Sequence, residues 1–164
     1  MSTAVVIDGA FFLRRFHHSF PDLDRHDAVA VAAGVVGIAA YHAAAGQGWA
    51  PTAAARVAVQ LRQESTELYR IFFYDCPPIA KRVHLPVSGR ALHLGGTAEA
   101  KMRTDLHHIL HTARKVALRQ GRLNEQFSTW RAKPDAVKRW VAQPQDFAPA
   151  DEDFELDIVQ KGVD

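Results

Sequence analysis

The chain has one cysteine, Cys76, among 164 residues. That excludes an internal disulfide framework and suits a reducing compartment such as the cytoplasm. A strong charge of either sign is also missing: the formal net charge is +2, too small a sum to mark a nucleic-acid partner by itself. No basic-then-apolar leader opens the sequence, so secretion is not expected. Long, strongly apolar runs are absent as well. From Ala28 to Ala55 there is no Asp, Glu, Lys or Arg, but alanine and glycine dominate, His42 and Gln47 interrupt, and Pro51 breaks the run. A membrane span wants about 20 strongly apolar residues. The segment is expected to be a small-residue helix packed close against a sheet, with no membrane partner. No phosphate-binding glycine loop, dinucleotide fingerprint or nucleophile elbow is present, and Gly95-Gly96 does not supply one. A flavodoxin-like nucleotide or phosphate binder is therefore the weakest of the α/β readings. His107 and His111 stand i, i+4, but no cysteine or carboxylate pattern completes a zinc site.

What is present is a recurring junction of strand and aspartate. Ala4-Val5-Val6-Ile7 is apolar and rich in β-branched residues, as suits a strand buried on both faces. Asp8 follows at its end and Gly9 lets the chain turn. Ligands of open α/β sheets bind outside such strand ends. Asp8 is accordingly either a site carboxylate or the cap of the next helix, accepting from backbone N–H groups near Phe11 and Phe12. Tyr69 to Tyr74 is a second strand; it ends in Asp75, and Cys76-Pro77-Pro78 stops it. A helical connection between parallel strands would bring both carboxylates to one edge. Phe154 to Val159 is a third strand, leading through Gly162 to Asp164.

Between these junctions the pattern predicts a short helix or loop over Phe11–Phe16. Asp24 or Asp27 is expected to cap a helix running to about Ala45, with Gly46-Gln47-Gly48 ending it. A loop at Trp49–Thr52 and a helical stretch over Ala53–Leu61 follow. Lys81–Gly96 reads as irregular. Thr97 caps a helix with Glu99 in its first turn and Gly121 beyond its end. Phe127–Ala132 reads as a strand, Asp135–Ala142 as a helix and Pro144–Asp153 as an acidic loop. Ten lysines and arginines lie between Lys101 and Arg139, whereas acids dominate Asp146–Asp157. That segregation is compatible with a nucleic-acid partner, but solvated helix faces give the same pattern more often.

Three motifs taken in order, Val6-Ile7-Asp8-Gly9, Ile71-Phe72-Phe73-Tyr74-Asp75 with Pro77-Pro78, and Val159-Gln160-Lys161-Gly162-Val163-Asp164, give the chain its resemblance to a known family. It resembles the NYN domains, relatives of the PIN-domain ribonucleases, and among them the bacterial LabA-like members. The resemblance implies one α/β domain over residues 1–164, with three layers and a mainly parallel Rossmann-like (PIN-like) sheet. It also implies an acidic pocket at the strand ends that binds Mg²⁺ or Mn²⁺ and cleaves RNA. Asp8 and Asp164 match the family's metal-binding positions, and Asp75 a recurrent family residue, making Asp8, Asp75 and Asp164 the candidate catalytic set. Lys161, and Lys81 or Arg82 after the second strand, would position the phosphate backbone. Family members continue past Lys-Gly-Val-Asp into a further helix and strand bearing acids. The chain is thus expected to be the N-terminal portion of such a domain, its site weakened or completed by a second copy or a partner chain. The competing expectation is a non-catalytic RNA-binding or protein-interaction module, motivated by the missing acids and the basic middle segment.

Overall fold

The computed structural model describes residues 2–43 and 68–161, with the backbone alone for 124–127 and 158–161. The architecture is α/β. Strands β1 (Thr3–Asp8), β2 (Leu68–Asp75) and β5 (Val116–Gln120) form a parallel sheet in the order β1-β2-β5. Helices α1 (Gly9–Ser19) and α2 (Ala28–Ala43) follow β1, and α3 (Ala98–Thr112) leads from β2 to β5. The strand order advances in one direction, so right-handed crossovers require every connecting helix to fall on the same face. The core agrees: Ile7, Ile71 and Phe73 of the sheet are buried against Phe12 and Phe16 of α1, Val31 and Val35 of α2, and Leu106 and Leu110 of α3. On the opposite face, among the described residues, Val6 is 68% exposed. Among the described residues, the helices thus cover one face of the parallel sheet.

The charge-free segment is helical, as its composition predicts, over 28–43. The Asp27 carboxylate starts it by accepting from Val29 N at 2.9 Å. No helix of the described residues is long and apolar enough to cross a membrane. Small residues in α2 serve close packing: a Cβ placed on Gly34 would lie 2.6 Å from Cε2 of Phe16. The Phe16 ring is itself confined by Phe12 and Phe20, at centroid distances of 5.7 and 5.2 Å. An exposed helical Gly→Ala change gains about 1 kcal/mol, whereas overpacking a core costs roughly 1–3 kcal/mol. With the ring held on both sides the second effect wins, so Gly34→Ala is expected to lower the unfolding free energy by about 1 kcal/mol. Urea denaturation checks this; a stabilised variant would show that the ring can move aside.

Four expectations are corrected. Thr97 does cap α3, its side chain accepting from Ala100 N, but the helix stops at Thr112 instead of running toward Gly121. Ala113 leaves helical geometry and Lys115 takes a positive φ of 63°. Val116–Gln120 then enters the sheet as β5 with Phe73 beside Leu118. Lys81–Gly96 is not wholly irregular: β3 (Arg82–His84) and β4 (Ala91–His93) pair antiparallel, each too short to show a period. Helix α1 is longer than Phe11–Phe16. Finally, β7 (Phe154–Lys161) does not extend the parallel sheet but pairs antiparallel with β6 (Arg122–Ala132) in a separate two-stranded sheet. A short helix, α4 (Pro134–Ala142), lies between β6 and β7 in the chain. The expected turn at Gly46–Gly48, loop at Trp49–Thr52 and helix at Ala53–Leu61 lie outside the described residues.

Candidate functional site

The parallel register sets Asp8 beside Tyr74, and Tyr74 beside Arg119. Asp8 and Asp75 therefore arrive at one sheet edge, as the two strand ends predict. Residues adjacent in a register row share a face, and the next residue along a strand points to the other. Asp8, Tyr74 and Arg119 thus belong to the open face and Asp75 to the helix-covered face. The two carboxylates share an edge without sharing a pocket.

Asp75 is buried, its side chain 1% exposed. Gly9 permits this: a Cβ there would stand 2.8 Å from the Asp75 Cβ and 2.8 Å from the Phe73 ring, so only glycine lets α1 begin this close to the end of β2. Two residues of α3, spaced i, i+4, then converge on the carboxylate. Arg103 Nη2 donates to Asp75 Oδ1, and to the carbonyl of Cys76 at 3.1 Å. His107 Nε2 lies 2.8 Å from Asp75 Oδ2. Gln120, at the end of β5, has Nε2 3.0 Å from His107 Nδ1. With the amide donating to Nδ1, the histidine carries its proton on Nε2 and donates it to Asp75. Burial pushes the Asp75 carboxyl upward. The His107 hydrogen bond, with the charge and hydrogen bond of Arg103, outweighs that effect and holds the carboxyl below its ordinary value. Both Asp75 oxygens are thus occupied and its charge is neutralised. The cluster locks β2, α3 and β5 together and is ill suited to metal ligation.

Asp8 behaves differently. Its side chain is exposed, and Oδ1 accepts from Phe11 N at 2.9 Å, the cap of α1. The helix-capping alternative is therefore present in the structure. Beside it lies an open cavity of about 210 Å³, lined among others by Phe11, Arg15, Ile38 and His42. Among the described residues Oδ1 alone of this carboxylate is engaged, so Asp8 fits as one hard-oxygen ligand to a Mg²⁺ or Mn²⁺ ion. Among the described residues no three His, Cys, Asp or Glu side chains gather around a common point.

The other expected site residues are dispersed. Lys81 Nζ donates to Ser128 Oγ, tying the segment before β3 to β6. Arg82 is exposed on β3. Lys161 ends β7 beside Arg122, and Asp164 lies outside the described residues. Arg103 and Gln120 escaped the sequence reading, and His107 was read only for its spacing from His111. A signal for two of them exists: Arg103 and His107 share one stripe of a helix whose neighbouring stripe, Met102, Leu106 and Leu110, is core. His107, weighed there with His111 as zinc-like spacing, faces Asp75 instead, while His111 is exposed.

Tyr74, the half-buried Phe72 and Arg119 give the open face an aromatic and cationic character, the Arg119 guanidinium lying 6.0 Å from the Phe72 ring centroid. Comparison of the chain with models of protein families, with curated proteins and with solved structures found no match.

Proposed function

We propose that this domain binds RNA at the carboxyl edge of its parallel sheet and hydrolyses the phosphodiester backbone with a Mg²⁺ or Mn²⁺ ion held by Asp8 and Asp164. The observation that supports the reading best is the placement of Asp8, an exposed carboxylate at the end of a parallel strand, where α/β sheets bind ligands. In this reading the domain has a three-layer, PIN-like fold of the NYN type. A chain with one cysteine, Cys76, buried in the fold, is in keeping with a reducing cytoplasm in this reading. When bound, the metal polarises the phosphoryl oxygen and lowers the pKa of a bound water.

The chain's own residues prepare that chemistry. Asp8 presents its carboxylate from a fixed cap geometry. Arg119, in the same register row, supplies positive charge at the edge for the RNA backbone, and Tyr74 and Phe72 offer faces on which unpaired bases stack. Lys161 is a further backbone contact in this reading, with Arg82 on the exposed hairpin. Lys81 serves instead through its Ser128 bond, and Asp75 positions the strand ends without touching substrate.

A second reading, RNA binding without cleavage, is favoured by the withdrawal of Asp75 into its ion pair. One experiment separates the two: labelled single-stranded RNA incubated with the protein and Mn²⁺ or Mg²⁺, with and without chelator. Product that appears only with metal supports hydrolysis. Retention without product, falling steeply with added salt, supports binding alone, and neither at low salt overturns both.

A further inference from the structure

Phe12, Phe16 and Phe20 are buried in the core, whereas Phe11, beside them in the chain, is 59% exposed. Its place is fixed all the same. The Phe11 N–H is the one that the Asp8 carboxylate caps, at 2.9 Å, so an exposed aromatic ring is carried on the residue held against the candidate metal ligand. The cavity beside Asp8 opens at this ring. At about 210 Å³ it is smaller than the roughly 300–1,000 Å³ clefts that take drug-sized ligands, so it admits one small planar group. Strand β1 contributes Val5 to Asp8; Phe11 and Arg15, one turn apart, line the cavity from α1, and Ile38 and His42, also one turn apart, line it from α2. Among the described residues none of β2 lines it, and Asp8 therefore stands between the cavity and Tyr74, its register neighbour on β2.

The chemistry of this lining selects an occupant. Val5, Ile38 and the Phe11 ring offer apolar surface. Arg15 is exposed, and no carboxylate among the described residues pairs with it. A purely apolar molecule would leave the guanidinium without an anion, and a bare phosphate would leave the ring and the aliphatic lining unused. One unpaired base on its sugar and phosphate matches both. Bases splayed out of single-stranded RNA stack on aromatic side chains and on arginine planes, and a guanidinium takes phosphate oxygens in a planar fork. A duplex keeps its bases paired and stacked, away from such a cavity.

Resting on the RNA reading above, we infer that the cavity is a base subsite of the same edge. The RNA strand crosses the edge with its scissile phosphate at Asp8, one flanking base on the Tyr74 side and the other unstacked into the cavity against Phe11, with Arg15 on the adjoining phosphate. The substrate class is thereby single-stranded RNA, cut between two unpaired nucleotides. Phe11 and Arg15 act in binding, not on the reacting atoms.

Fluorescence anisotropy of a labelled RNA, single-stranded or annealed to its complement, titrated with the full chain in chelator at low salt, reads binding without cleavage. The single strand is expected to bind more tightly than the duplex. Phe11→Ala should weaken single-strand binding by roughly tenfold, the effect of removing one stacking aromatic, and Phe11→Tyr, which keeps the ring face, should bind as wild type does. Arg15→Gln should make the slope of log K against log salt shallower by about 0.7, as the loss of one phosphate contact on a single strand does. Both side chains are exposed, so urea midpoints near that of wild type will show that these losses are not unfolding. Single-strand binding undiminished by Phe11→Ala and Arg15→Gln, or duplex bound as tightly as the single strand, overturns the subsite and leaves the RNA reading standing. A wild type that retains neither RNA overturns both.

Discussion

Asp8→Asn is expected to abolish metal-dependent RNA cleavage while leaving the fold almost unchanged in stability. This side chain has one role in the structure and a second in the proposed reaction. As the cap of α1 it offers Oδ1 to Phe11 N, and asparagine caps about as well as aspartate. The lost charge at a helix N-terminus costs about 0.3–1 kcal/mol, so denaturant unfolding should shift by less than about 1 kcal/mol. Asparagine replaces an anionic oxygen with a neutral amide, and a hard divalent cation held through one or two carboxylates then loses its anchor. Asp8→Ala adds the cap loss, typically about 1 kcal/mol, with no further loss of cleavage. Activity assayed beside denaturation separates charge from cap. If Asp8→Asn cleaves RNA as fast as wild type, Asp8 is a helix cap and the hydrolytic reading fails.

The second large effect concerns Asp75. Arg103→Met, which keeps the aliphatic bulk of the side chain, is expected to lower the unfolding free energy by about 3 kcal/mol, because it strands a buried carboxylate. The Arg103 side chain is 19% exposed, which argues for the lower end of the range that broken buried pairs show. Asp75→Asn combined with Arg103→Met should lose less than Arg103→Met alone, since no uncompensated charge remains. The pH dependence has a definite sign. The folded-state value of Asp75 is depressed, so its stabilisation is present in full above the unfolded value of about 3.9. It fades as pH falls through the lower folded value. The gap between wild type and Arg103→Met should therefore be widest near neutrality and close in acid. A gap that stays constant to pH 3 would show that Arg103 acts through packing alone.

These residues also mark how far the sequence could be read. Strands β1 and β2 were legible because Val5-Val6-Ile7 and Ile71-Phe72-Phe73 are apolar without a break, and nothing helical competes with them. Strand β5 was not: Val116-Ala117-Leu118 follows a well-capped helical pattern, which ends where Ala113 leaves helical geometry and Lys115 then turns left-handed, neither of which an alanine or a lysine announces. The site divided similarly. Strand-end position identified Asp8 and Asp75 as arriving at one edge, but the alternation that turns one outward and the other inward depends on register. The partners of Asp75 come from α3 and from β5, whose recruitment to the sheet is a tertiary event. Likewise Phe154–Val159 was recognisable as a strand, while its choice of β6 over the parallel sheet was not written in its own residues.

The one-directional order β1-β2-β5 bears on the route by which the chain reaches this state. Every ladder of that sheet is parallel, so no pairing can form through a tight turn, and each must close a long loop first. The step from α3 into β5 is the exception, needing only the short link Ala113–Lys115. The unit β2-α3-β5, with Leu106 and Leu110 already facing Ile71 and Phe73 across the core, is thus the part with least chain entropy to overcome. It should assemble early, and β1 with its capped helix should dock afterwards. Asp75 would then reach Arg103 and His107 before Asp8 has an edge to join.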